Sequence, residues 1–183
     1  MRTFRWLARS LFLSLALYAS QASAYFYIDD TTGSPTFNRS LDGFSGLSAV
    51  GTDVAYDSFS FSVDTTGTYS FRSLALPLAD RWDNMLFLYG GSFDPGNATA
   101  NGLISNDDYN GNIGLSGFDV SLSTGVVYVL VTTGFANTDL GRYATLIRGP
   151  GDITAPVPEP ETYALLLCGL LVVGYLSRRR RND

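Results

Sequence analysis

The sequence predicts an all-β domain, an antiparallel β-sandwich, carried between two export segments. Three observations support this. Short runs between residues 25 and 155 alternate apolar and polar side chains with period two, the pattern of strands with one buried face. Gly, Asn, Asp and Ser cluster between those runs, where turns need them. No apolar helical period longer than one turn occurs in that segment. Short strands separated by frequent turns pack as two antiparallel sheets.

The elements follow in order. Arg2, Arg5 and Arg9 precede an apolar run over 11–17, and Ala22-Ser23-Ala24 follows it. This is the layout of a secretory signal peptide over 1–24, with Ala22 and Ala24 as the small residues of the cleavage site and Tyr25 as the expected mature N-terminus. No Arg-Arg pair stands near the start, which favours the general secretory route over twin-arginine export. Over 57–63, Phe59, Phe61 and Val63 share one face and three serines the other. Asp64-Thr65-Thr66-Gly67 reads as a tight hairpin connection, and 68–72 returns with the same alternation. Residues 85–89 are apolar on both faces, as expected of a central strand. Phe118, Val120 and Leu122 alternate with Asp119 and Ser121. Ser123-Thr124-Gly125 turns the chain into 126–131, the strongest β run, and 142–148 supplies the last strand.

Beyond this domain, Pro156, Pro158 and Pro160 make a stiff extended spacer. Residues 162–177 are expected to form a single transmembrane helix, since 163–177 carries six leucines, two valines and no formal charge. Fifteen helical residues span about 22 Å, short for a hydrocarbon core of about 30 Å. Arg178, Arg179, Arg180 and Arg181 close the segment as a cytoplasmic stop, which puts everything upstream outside. The chain thus divides into a signal peptide (1–24), an ectodomain (25–155) and a C-terminal sorting segment (156–183).

Composition narrows the chemistry of the ectodomain. It has five arginines against fourteen aspartates, a net formal charge of −9, and no Lys, His, Glu or Cys. An acidic surface repels nucleic acid and anionic lipid and suits divalent cations or neutral sugars. Without histidine there is neither a Ser-His-Asp triad nor a histidine-bound zinc, and without cysteine neither a thiol nucleophile nor a disulfide framework. Two aspartates suffice for a glycosidase, but fourteen spread through turn-rich segments are more simply turn residues. No enzymatic activity is expected.

The densest set of hard oxygen ligands is Asn106, Asp107, Asp108 and Asn110, followed by Gly111. Counted from Asn106, oxygen side chains fall at positions 1, 3 and 5 with glycine at 6, the front half of a calcium loop. Position 12 is Gly117, and no helices flank the loop, so it is not an EF-hand. Two readings stand open. One is a looser calcium site completed by Asp83, Asp107 or Asp139; the other is a solvated connection whose Asn, Asp and Gly serve turn geometry. No cofactor is expected, with calcium the one ion for which the residues offer ligands. Trp82, Tyr89, Tyr109 and Tyr128 offer aromatic area for stacking on sugar rings, although aromatics on strands more often belong to the core.

Two resemblances add to this reading. Pro158-Glu159-Pro160, the leucine-rich span with Gly169 and Gly174, and the arginine cluster at 178–181 resemble the PEP-CTERM sorting signal of Gram-negative bacteria. The resemblance implies an integral-membrane exosortase that recognises the tripeptide and processes the anchor, and a host that makes exopolysaccharide or biofilm matrix. The spaced elements at 83–89, 106–108, 122–128 and 141–143 resemble the bacterial pre-peptidase C-terminal domain, across about 51–149. That family implies a jelly-roll-like sandwich with binding or secretion roles, although no protease precedes it here. The expected function is a non-catalytic structural or adhesive protein of the cell surface or extracellular matrix. It would be held briefly in the inner membrane, with the exosortase and extracellular polysaccharide as partners. The alternative is a calcium- or carbohydrate-binding module.

Overall fold

The computed structural model describes residues 23–79, 81–155 and 168–171. Ten strands form: β1 (Ser23–Asp30), β2 (Thr36–Phe37), β3 (Val54–Val63), β4 (Gly67–Ala75), β5 (Asn84–Gly90), β6 (Gly102–Asn106), β7 (Leu115–Leu122), β8 (Tyr128–Gly134), β9 (Arg142–Gly149) and β10 (Ile153–Thr154). All their pairings are antiparallel. Helical structure among the described residues is confined to three short 3-10 turns and residues 168–171, as an all-β sequence demands.

The strands make two sheets, ordered β1-β9-β4-β7 and β10-β3-β8-β5-β6, with β2 added beside β3. The alternation read in the sequence becomes the shared core. Phe61, Leu86, Leu88, Tyr128 and Leu130 from the second sheet meet Tyr69, Phe71, Phe118, Leu122 and Ile147 from the first. Removing a ring from that layer, as in Phe71→Ala, costs about 3–5 kcal/mol, because transfer free energy is lost and a cavity is left.

The second sheet is buried on its outer face too. Met85, Phe87, Tyr89, Val129 and Val131 pack there with Phe37, Val54 and Ala98. The connections between strands supply the cover: Phe44 sets its ring edge-on to Phe87 and Tyr89, at 5.7 and 5.3 Å between centroids. Phe44 does so from a left-handed backbone (φ 60°), and its ring lies so close to Gly102 that a Cβ there would meet it at 2.2 Å. Burial on both faces explains why β5 is apolar throughout. The outer face of the first sheet stays open, with Phe26 61% and Ile28 50% exposed.

Residues 64–67 do not close a hairpin, because β3 and β4 lie in opposite sheets and pair with β8 and with β7 and β9, respectively. Three boundaries also differ from expectation. The strong β run begins at Tyr128, not at residue 126: Val126 and Val127 lie outside β8 and are exposed. β1, β2, β6 and β10 have no clear alternating signal, and β6 ends on Asn106, which the sequence reading placed in the loop. β1 begins at Ser23, so Ser23 and Ala24 already pair with Gly149 and Arg148, and Ser23 Oγ donates to Asp152. Of the predicted signal segment, residues 1–22, including Ala22, lie outside the described residues. Most of the predicted helix at 162–177 lies outside them as well. Within 168–171 the backbone is helical, with Cys168, Leu170 and Leu171 exposed. Among the described residues no helix is long and apolar enough to cross a membrane.

Candidate metal centre

Antiparallel pairing of β5 with β6 sets Leu86 opposite Asn106. Running back one way and on the other, the chain therefore places Asp83, just before β5, beside Asp107 and Asp108, just after β6. Their three carboxylates lie within 4.8 Å of one another. One oxygen of each, Oδ1, is buried and has no hydrogen-bond partner. Local hydrogen bonds hold the strand ends in place. The Ser116 hydroxyl sits between the carbonyls of Asn84 and Asp107 (2.7 Å to the latter), and the Phe135 N–H donates to the Asp83 carbonyl at 2.9 Å.

The electrostatics of this grouping are unfavourable without a cation. Burial first, and then Asp83 and Asp108, push the Asp107 carboxyl up to about 7. Asp83 is also raised, by burial and then by Asp108 and Asp139. Arg39 opposes both shifts. Its guanidinium is buried (2% exposed), donating Nε and Nη2 to the Phe135 carbonyl at 2.9 and 2.8 Å and Nη1 to the Ser40 carbonyl at 2.9 Å. It stacks on the Phe135 ring, 4.8 Å from the centroid, and makes no ion pair with a described residue; Arg72–Asp119 is the ion pair found among the described residues. Arg39 acts on Asp107 and Asp83 and also on Asp139 and Asp42, so its single charge does not compensate the three clustered carboxylates. Hard carboxylate oxygens at one point suit Ca²⁺, which takes 6–8 oxygens and accepts bidentate carboxylates and water.

The sequence-predicted residues divide accordingly. Asp107 and Asp108 enter the group. Asn106 turns its Oδ1 to the Gly117 N–H at 2.9 Å, and Asn110 is exposed with a left-handed backbone (φ 56°), a turn role. The pattern at positions 1, 3 and 5 is therefore not the arrangement that gathers; of the residues expected to complete a looser site, strand pairing brings in Asp83, whereas Asp139 stays outside the three-carboxylate group and accepts from the Ala136 N–H. Arg39 carried no sequence signal, since nothing local marks a lone arginine as buried opposite acids far along the chain.

The aromatic platform does not form. Tyr89 is fully buried with its hydroxyl donating to the Ala98 carbonyl, and Tyr128 is core with its hydroxyl accepting from the Ser123 N–H. The Tyr109 ring is covered by the Arg72 guanidinium, 3.8 Å from its centroid. Trp82 donates its Nε1–H to the Arg142 carbonyl.

Pro158, Glu159, Pro160 and Arg178–Arg181 lie outside the described residues. Their assignment rests on comparison with known sequences. No curated protein matches the chain. Residues 156–181 match the PEP-CTERM protein-sorting motif, which marks the chain as an exported protein targeted to an exosortase.

Proposed function

We propose that this is a non-catalytic surface or matrix protein, exported, held briefly in the inner membrane by its tail and then processed by an exosortase. The match of 156–181 to the sorting motif carries the reading. The domain supports a structural or adhesive role in extracellular polymer. Apart from the short β2 and β10, its strand orders, β1-β9-β4-β7 and β3-β8-β5-β6, are those of a double-sheet jelly roll, the fold that the pre-peptidase C-terminal resemblance implies. The exported segment also lacks the histidine, cysteine and lysine of the common nucleophile and base sets. Glu159→Ala in the native host should leave unprocessed precursor in the inner membrane. Fractionation and mass spectrometry of the C-terminus would measure this, and processing identical to the parent would remove the sorting reading.

The Asp83, Asp107 and Asp108 group favours a second reading, a calcium-binding module. Its three unpartnered oxygens support a cation that ties the start of β5 to the end of β6. The two readings are compatible, since calcium would then brace a domain that works outside the cell.

A further inference from the structure

We propose that the open outer face of the β1-β9-β4-β7 sheet docks on the anionic lipid surface to which the tail tethers the domain; this rests on reading the tail as a membrane anchor. Register defines the face. Ile28, Ala144, Leu74 and Leu115 form one row across the four strands, and Phe26, Leu146 and Arg72 lie in the next. Phe26 and Ile28 stand out in solvent on the outermost strand. Contiguous apolar side chains on an open face mark an interaction surface, and Phe26 and Ile28 continue into Leu146, Ala144, Leu74 and Leu115.

Charge selects the partner. The same alternation puts Arg142 and Arg148 on this face with Arg72. It therefore carries three of the five arginines of the exported segment but, through Asp30 and Asp119, two of its fourteen aspartates. An acidic body near an anionic surface is repelled on every other side, so this face turns inward. Arg72 is held by Asp119, so Phe26 and Ile28 then enter the headgroup boundary while the exposed Arg142 and Arg148 meet lipid phosphates.

The tether makes the contact reachable. The chain leaves the domain through β10, which lies on the outermost strand of the second sheet and beside β1. Residues 156–161 extend at most about 20 Å before the predicted apolar span. The domain is thus held with its β1 side close to the bilayer.

The test uses the full-length chain, made in a host without exosortase and reconstituted into vesicles with brominated acyl chains. A tryptophan reporter is introduced by Phe26→Trp or, on the other sheet, by Leu103→Trp at an exposed site, each read against the parent. Docking predicts strong lipid quenching at 26 and little at 103 in vesicles containing phosphatidylglycerol, with the difference lost in purely zwitterionic vesicles. Arg148→Ser should lower the docked-to-undocked ratio about fivefold. Equal quenching at both positions, or none at 26, overturns the docking. So does a fluorescence response at 26 to an acidic polysaccharide without lipid quenching, which would assign the face to polymer. Alkaline carbonate extraction reads the anchor separately: release of the chain would sink the anchor reading and the docking together, whereas retention without quenching would sink the docking alone.

Discussion

Asp57 and Asp107 are both partly buried carboxylates, and burial is the first cause raising each above the ordinary aspartate range. Their surroundings differ. Asp57, on the inner face of β3, accepts from the Ser34 hydroxyl at 2.6 Å and from the Tyr143 hydroxyl of the opposite sheet at 3.2 Å. Asp107 has a buried oxygen with no donor, and its neighbours are two more carboxylates. A buried acid is stabilised when the fold supplies donors. Where the fold withholds them and adds like charge, the acid calls for a cation from outside.

The largest effect that would sharpen this contrast is calcium itself. At a hundredfold excess over its Kd, calcium should stabilise the exported segment by about 2.7 kcal/mol, a Tm rise of roughly 10 °C for a domain of this size. Calorimetry and thermal melting measure it, and no response up to millimolar calcium would dissolve the distinction between the two acids. Next, Asp107→Asn should abolish that increment while raising the Tm of the metal-free protein, because it removes a buried charge from beside two others. A fall in the metal-free Tm would mean that Asp107 is held by contacts like those of Asp57.

The third test is pH. Asp107 titrates near 7 in the folded protein and near its ordinary value of 3.8 when unfolded, so the folded state binds the extra proton between them. Stability from this group is full below about 3.8 and is lost as pH rises through about 7. Asp83 and Asp57, raised as well, act in the same direction. The metal-free protein should therefore gain Tm as pH falls from 7 towards 4. With calcium bound the slope should reverse, since protons then compete with the ion. The smallest effect is Tyr143→Phe, which removes one donor to Asp57 and should cost about 1 kcal/mol. A chemical denaturation midpoint unchanged with or without calcium would show that Asp57 does not depend on that hydrogen bond.

The legible parts of the fold were those whose side chains divide between two environments. β3, β4, β7 and β9 alternate because one face meets the shared core, and β5 is apolar throughout because Phe44, Phe93 and Ala98 cover its second face. β1 gave no such signal: Phe26 and Ile28 are exposed on one face while Tyr25 and Tyr27 line the other, so apolar residues follow one another without a break. The acidic site was half legible. Asp107 and Asp108 stood out by local density and Asp83 was one of the candidates to complete them, but which candidate joins is set by strand pairing, and Arg39 joins through loop packing that local spacing does not encode.

The start of β1 has a consequence for the order of events during export. The bond expected to be cut, after Ala24, lies within a strand that pairs with β9, and Tyr25 meets Ile147 across about 120 residues of intervening chain. A leader peptidase needs an unpaired, extended substrate. If the N-terminal part of the domain is exported first, that bond stands unprotected until β9 follows. Once β9 arrives, the ladder closes over it. Under the signal-peptide reading, a cut after Ala24 therefore has to come before β1 pairs with β9.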